Sequence, residues 1–124
     1  MTIRDAITRL DALIFNTYTT DDKILWLSRL DAAVKEQIID THEGSEMVPY
    51  LGYTPNTPDD TVLLVPEPYA DVYLRWMEAQ IHYHNGENDK YNSAIILYNT
   101  AFEAYAGYYN RTHMPKARRN RFVF

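Results

Sequence analysis

The amino-acid sequence predicts a mainly α fold, a small bundle of about four helices with a C-terminal antiparallel helix hairpin. Apolar residues recur at helical spacing in four separate segments. Five glycines and prolines between residues 43 and 60 separate the first two segments from the last two. Only residues 61–65 have the composition of a strand, so at most one short strand or hairpin is expected. With 124 residues, the chain is predicted to form a single helical domain over residues 1–115.

The first two helices are predicted from capping residues that precede apolar stripes. Thr2 can cap a helix that ends near Asn16. Thr20 can cap a second helix that runs to about Thr41, with Asp21 and Asp22 near the positive end of the helix dipole. The apolar stripes are Ile3, Ile7, Leu10 and Ile14 in the first helix and Leu27, Leu30, Val34 and Ile38 in the second.

A long loop and a short extended segment are predicted between the two halves of the chain. Residues 43–60 contain too many glycines and prolines for a regular element, so this stretch is predicted to be a loop. Residues 61–65 are a short run of β-branched and leucine side chains closed by Pro66 and Pro68. They are compatible with a short strand or with an extended strip held on the surface, and no partner strand is visible in the sequence.

The C-terminal hairpin is predicted from two helical patterns joined by a tight turn. The third helix should start at Glu67 or Tyr69 and end at His84, with Gly86 as its C-terminal stop. Asn88 is the expected cap of the fourth helix. Because the connection has only a few residues, the two helices should be antiparallel and should pack along their aromatic faces.

The fourth helix is the most informative segment, because it holds five of the chain's 11 tyrosines. Two adjacent apolar rows predict that part of the helix faces the core and part faces another subunit. The first row is Tyr91, Ile95, Tyr98, Phe102, Tyr105 and Tyr109, and the second is Ala94, Leu97, Ala101, Ala104 and Tyr108. Base stacking is disfavoured, because residues 91–109 contain no Lys or Arg.

The charge pattern divides the chain into an acidic body and a basic tail. The net charge is −5, yet Lys116, Arg118, Arg119 and Arg121 place four of the 12 basic residues in the last nine positions. Residues 116–124 are therefore predicted to form a flexible, solvated tail. The alternative is an arm that reaches an acidic partner or a nucleic-acid backbone, because the apolar ending Phe122–Phe124 suggests something to dock against.

The cysteine content and the N-terminal residues bear on the cellular compartment of the protein. The chain has no cysteine, which excludes disulfides and thiolate metal sites and favours a reducing compartment. Charged residues interrupt the first 15 positions, so neither a signal peptide nor a membrane span is expected there.

The sequence shows no catalytic or metal-binding motif. GxGxxG, GxxxxGK[ST], HExxH and GxSxG are all missing. His82 and His84 cannot share a metal on one helix, because two positions correspond to about 200° of rotation. Glu78 and His82 have a workable i,i+4 spacing, but a solvated helix face is the favoured interpretation. A hydrolase built on His113 would need a polar pocket around that side chain.

The polar end of the fourth helix has two interpretations that the sequence leaves open. Arg111 and His113 can bind the last helical carbonyl groups, which would make the segment a helix cap. Alternatively, Arg111, His113 and Met114 contact a partner.

Three segments of the chain resemble a known family. They are WLSRLDAAVKEQIIDTHEG at 26–44, DTVLLVPEPYADVYLRWMEAQIHYHNGE at 60–87 and YNTAFEAYAGYYNRTHMP at 98–115. Together they resemble the small head-tail connector (adaptor) proteins of tailed bacteriophages and prophages of Gram-positive bacteria. The tail after Pro115 departs from the family pattern in length and basicity.

The resemblance implies a helical, non-enzymatic virion protein without a cofactor. Such a subunit binds the portal ring, extends the DNA channel with possible non-specific contact to passing DNA, and presents a surface to the next connector or tail protein. It assembles in the bacterial host cytoplasm and forms a homo-oligomeric ring of about twelve copies in the virion, while a monomer is the alternative for the isolated protein. Rings need heterologous interfaces. Tyr105, Tyr108 and Tyr109 are the hypothetical outer row for one interface. The alternative is a small helical interaction or regulatory module encoded on a mobile element.

Overall fold

A computed structural model describes residues 1–116 and has the mainly α fold that the sequence predicts. The four helices are α1 (Ile3–Leu13), α2 (Thr20–Gln37), α3 (Asp71–His84) and α4 (Asn88–Thr112). Two short 3-10 turns, Ile39–Thr41 and Ser45–Met47, follow α2. Within the described residues there is no β-strand, only two isolated bridges, Thr2 with Val62 and His42 with Pro115.

Helix α1 begins at the predicted cap and ends earlier than predicted. The Thr2 hydroxyl accepts a hydrogen bond from the Asp5 backbone at 3.1 Å, and the Asp5 carboxylate accepts one from the Thr2 backbone. The helix ends at Leu13 and not near Asn16. Asn16 instead forms a local turn, because its side chain donates to the Ile14 carbonyl and accepts from the Tyr18 backbone.

Helix α2 is capped by Thr19, one residue before the predicted cap. The Thr19 hydroxyl accepts from the Asp22 backbone at 3.1 Å. The helix ends at Gln37, four residues before the predicted end at Thr41. Side chains that bind the Ile38 carbonyl explain the early end: the Thr41 hydroxyl donates to it at 2.7 Å, and His42 Nδ1 lies 2.6 Å from it. The chain therefore tightens into a 3-10 turn.

The segment 61–65 is an extended strip whose partner is the N-terminus. The Leu63 backbone donates to the Met1 carbonyl at 2.9 Å, and the Ile3 backbone donates to the Thr61 carbonyl at 3.0 Å. Side chains alternate as in a strand, with Leu63 and Val65 buried and Val62 exposed. The pairing is too short to form a strand, and its role is to fix the N-terminus against the core.

Helices α3 and α4 form the predicted antiparallel hairpin. Aromatic contacts show the antiparallel order: Tyr83 of α3 contacts Tyr91, Trp76 of α3 contacts Tyr98, and Tyr69, two residues before α3, contacts Tyr105. Helix α3 starts at Asp71, later than predicted, and Gly86 has the positive φ of 75° that suits glycine at a helix stop. Asn88 is the first helical residue and not the cap.

Glu87 closes the turn between α3 and α4. Its carboxylate accepts from His82 Nδ1 at 2.9 Å, from the Asn85 amide at 3.3 Å and from the Lys90 ammonium at 3.4 Å. These contacts, with the His82 hydrogen bond the strongest, lower the pKa of Glu87 to about 2. The position is also favourable for a carboxylate, because it lies at the positive end of α4.

A buried carboxylate joins α2 to three other segments. The fully buried Asp31 accepts from the Tyr73 hydroxyl of α3 at 2.6 Å, from the Tyr53 hydroxyl at 2.5 Å and from the Leu64 backbone at 3.1 Å. Burial raises the pKa of Asp31, and the three donors oppose that shift. The Tyr73 hydroxyl also accepts from the Val65 backbone at 2.7 Å, so it links Asp31 to the extended strip.

The long loop is held against α2 through Ser28. The Tyr50 hydroxyl donates to the Ser28 carbonyl at 2.7 Å, and the Tyr53 backbone donates to the Ser28 hydroxyl at 3.0 Å. Gly52 lies between these tyrosines and has a φ of 90°. A Cβ added to Gly52 would lie 3.5 Å from the Ser28 hydroxyl. The part of the loop near α2 is therefore ordered by specific contacts.

The variant Tyr73→Phe tests the network of hydrogen bonds to Asp31. The change removes one donor to a buried carboxylate and leaves the Val65 N–H without its acceptor, so the free energy of unfolding should fall by about 1–3 kcal/mol. Tyr83→Phe is the matched control, because Tyr83 is an exposed tyrosine of the same helix, and it should change stability by less than about 0.5 kcal/mol. Urea unfolding measures both, and equal effects would contradict the network.

The pH dependence of stability tests the Glu87 turn. The pKa of Glu87 in the folded protein, about 2, lies below its ordinary value of 4.5, so the folded state binds the proton less tightly. This contribution is fully present above pH 4.5 and is lost as the pH falls toward 2. Glu87→Gln should therefore weaken the acid-induced loss of stability in that window. Glu103→Gln, which removes an exposed carboxylate of α4 outside the turn, is the control.

Candidate interaction surface

The first aromatic row of α4 faces the interior of the subunit. Tyr105 and Tyr109 are only 4% and 6% exposed and belong to the hydrophobic core. Burial raises the pKa of both Tyr98 and Tyr105 to about 12. The expectation that Tyr105 and Tyr109 form an outward row is therefore wrong, because Tyr105 packs against Tyr69, just before α3, and Tyr109 packs against His42, beyond the end of α2.

The second row of α4 supplies an exposed apolar flank. Ala94 is buried, but Leu97 is 47% exposed, Ala104 is exposed and Tyr108 is half-buried against Tyr69. Leu97 also lines a shallow groove between α3 and α4. The flank of α4 available to a partner thus consists of Leu97, Ala104 and Tyr108 and continues to exposed Arg111 at the end of the helix.

The C-terminal end of α4 is attached to the end of α2 through stacked rings. The exposed His113 ring stacks on the Tyr109 ring with centroids 3.7 Å apart, and buried His42 meets Tyr109 edge-on at 4.9 Å. His42 Nε2 also lies 2.7 Å from the Asn110 amide oxygen. These contacts fix the direction in which the chain leaves the helix.

The last carbonyl groups of α4 are bound differently from the prediction. The Thr112 hydroxyl donates to the Tyr108 carbonyl at 3.0 Å, and the His113 backbone, not its ring, donates to the Tyr109 carbonyl. Arg111 lies along the helix beside Gly107, where an added Cβ would meet its guanidinium at 3.5 Å. Arg111, His113 and Met114 all remain exposed, so their predicted contact with a partner stays a prediction.

The start of the basic tail is held by backbone contacts. The Glu43 backbone donates to the Met114 carbonyl at 2.8 Å, and the Lys116 backbone donates to the Thr41 carbonyl at 3.0 Å. The attachment therefore reaches one residue beyond the predicted domain boundary at 115. The other predicted tail residues, Arg118, Arg119 and Arg121, lie outside the described part of the chain.

A second apolar surface lies beside the end of α1. A groove of about 310 Å³ between α1 and α3 has apolar walls of Leu10, Leu13, Ile14 and Leu74. Leu13 is 72% exposed, and Phe15, just beyond the helix, is 89% exposed. Sequence reasoning missed this surface, although Leu13 and Phe15 are apolar residues outside the predicted stripe of α1 and could have indicated it.

A third group of exposed apolar residues lies on the α2 and loop side. Leu25, Met47 and Leu51 are all exposed. Leu25 lines a shallow depression together with Tyr53 and Pro55 of the long loop. The depression with Leu25 and the groove with Leu13 lie on different sides of α3. Tyr73 of α3 points toward Asp31 of α2, whereas the next residue, Leu74, lines the groove beside α1.

His82 lies close to two carboxylates in the described structure. Its ring nitrogens lie 2.9 Å from Glu87 and 3.8 Å from Glu78. No group of three or more His, Asp or Glu side chains in residues 1–116 is arranged to hold a metal ion. His113 hydrogen-bonds to the Thr112 hydroxyl at 2.9 Å.

Within residues 1–116, no helix has both the length and the apolar character needed to span a bilayer.

Comparisons with known proteins identify no relative: no family model, no curated protein and no solved structure matches this sequence.

Substituting two residues of the predicted interface tests which of them belongs to the core of the subunit. Tyr109→Ser removes a buried ring between His42 and His113, so the free energy of unfolding should fall by about 3 kcal/mol. Arg111→Ser changes an exposed side chain two residues away and should alter stability by less than about 0.5 kcal/mol. Chemical denaturation of both variants measures the difference, and a fully stable Tyr109→Ser protein would contradict its place in the core.

Proposed function

We propose that this protein is a structural subunit of a bacteriophage head-tail connector, which docks on the portal ring and extends the DNA channel toward the tail. The proposal starts from the family resemblance of three sequence segments. The structural observation that carries it is the presence of distinct exposed apolar surfaces on different sides of one small helical subunit. It assigns no catalytic step and no cofactor to the chain.

A closed ring requires that one surface of a subunit meet a different surface of its neighbour. The α4 flank with Leu97, the α1 groove with Leu13 and the α2 side with Leu25 are three such surfaces. A single exposed apolar surface would favour a two-fold dimer or one partner. Distinct surfaces support a subunit with neighbours on two sides of the ring and a further contact along its axis.

The α3–α4 hairpin is suited to a load-bearing role. Helix α4 has 25 residues and is therefore about 37 Å long. Aromatic pairs fix its inner face to Tyr83 and Trp76 of α3 and to Tyr69, two residues before α3. Aromatic side chains provide large contact areas with few rotatable bonds. A rigid hairpin that leaves one flank exposed can present the same surface in each copy of a ring.

The alternative function is a helical interaction or regulatory module from a mobile element. Such a protein would bind one partner and remain a monomer or dimer, whereas a connector subunit should form closed assemblies. The native mass over a concentration range up to about 1 mM distinguishes them, because weak ring contacts become populated there. A species of about twelve subunits supports the connector, and a dimer that does not grow with concentration contradicts it.

Leu97→Asp tests the α4 flank directly. A charge at this exposed position should abolish ring formation or portal binding, because it would be buried without a partner in the interface. Asn99→Asp, which adds the same charge to an exposed position of the same helix outside the apolar rows, is the matched control. Both variants should keep the helical circular-dichroism signal. Unchanged assembly of Leu97→Asp would exclude this flank from the interface.

A further inference from the structure

We propose that the groove between α1 and α3 binds the C-terminal segment of a second copy of this chain. The inference deepens the proposed function, on which it rests, because it assigns one contact between neighbouring subunits. It commits to a single occupant, residues 118–124, with sequence RRNRFVF.

The groove offers apolar walls and a mainly acidic rim. Leu10, Leu13, Ile14 and Leu74 form the walls. Asp71 and Glu78 supply two carboxylates at the rim, where Arg75 is the opposing charge and approaches Glu78 at 4.0 Å. The volume of about 310 Å³ is at the lower end of the range for sites that hold small ligands, which suits one or two side chains.

The tail carries the complementary chemistry in the corresponding order. Three arginines, Arg118, Arg119 and Arg121, precede the apolar ending Phe122–Phe124. In an extended peptide, side chains two positions apart lie on the same side, so Phe122 and Phe124 could both enter an apolar groove. The arginines would then face the carboxylates of the rim, and the rest of the chain is acidic.

Distance favours a neighbouring copy over the chain's own groove. Lys116 is attached to Thr41, at the C-terminal end of the α2 segment. The groove lies beside the end of α1, where Asp11 binds Lys23 near the start of α2. These two places are separated by most of the length of α2, on the order of 25 Å. Residues 117–122 span at most about 21 Å when fully extended. The backbone of the chain's own Phe122 would thus stop short of the groove.

The absence of cysteine allows a direct cross-linking test with the full-length chain. Two single variants, Leu13→Cys and Phe124→Cys, are mixed and oxidised. A docked tail holds its last residue at millimolar effective concentration beside the groove, so the mixed disulfide should form about tenfold faster than in the control. The control mixture pairs Phe124→Cys with Thr8→Cys, an exposed position of α1 that does not line the groove.

Two results would overturn the proposal. Equal rates of mixed disulfide formation in the two mixtures would show that the tail does not select the groove. A double variant, Leu13→Cys with Phe124→Cys, that closes an intramolecular disulfide at high dilution would show that the occupant is the chain's own tail. Ring mass is measured separately on the unmodified chain. Rings of the unmodified chain, together with equal disulfide rates in the two mixtures, would refute the tail contact and leave the connector function intact.

Discussion

The buried carboxylate of Asp31 is the interaction on which the arrangement of the other segments depends. It binds α3 through Tyr73, the long loop through Tyr53 and the extended strip through Leu64. The strip in turn holds the N-terminus beside Thr61 and Leu63. A charge without these donors would be costly in the core, so the four segments must meet in one arrangement to satisfy it. This requirement gives a fold without a sheet or disulfide a defined position for α3.

The position of α3 then determines which surfaces of the subunit are available to partners. Its aromatic side holds α4, and α1 packs on another side, so grooves remain on both sides of an exposed strip of α3 that contains Glu78. The rings of His113, Tyr109 and His42 fix where the chain leaves α4. The same packing that stabilises the subunit therefore leaves the Leu97 flank and the Leu13 groove exposed in a constant geometry.

Local signals in the sequence predicted the helices well. Where the structure departs from the sequence predictions, contacts between residues distant in the chain are the cause. The Thr2 cap, the Gly86 stop and the antiparallel hairpin follow from short-range rules. Asp31 occupies an apolar position of the α2 stripe, between Leu30 and Val34, but only the fold reveals its donors 22 to 42 residues away. The direction of the tyrosine rows of α4 likewise depended on where α3 lies. The choice between Tyr105 and Leu97 as the exposed residue could not be made from periodicity alone.

The most direct test of the proposed connector function is the stoichiometry of binding to a portal protein, the partner that this function requires. Native mass spectrometry of purified portal rings mixed with this protein would count the bound copies. The proposed function predicts a discrete complex in which about one copy binds for each portal subunit, consistent with the rotational symmetry of a ring. No binding at concentrations of about 100 μM, or one or two copies bound per ring, would contradict it.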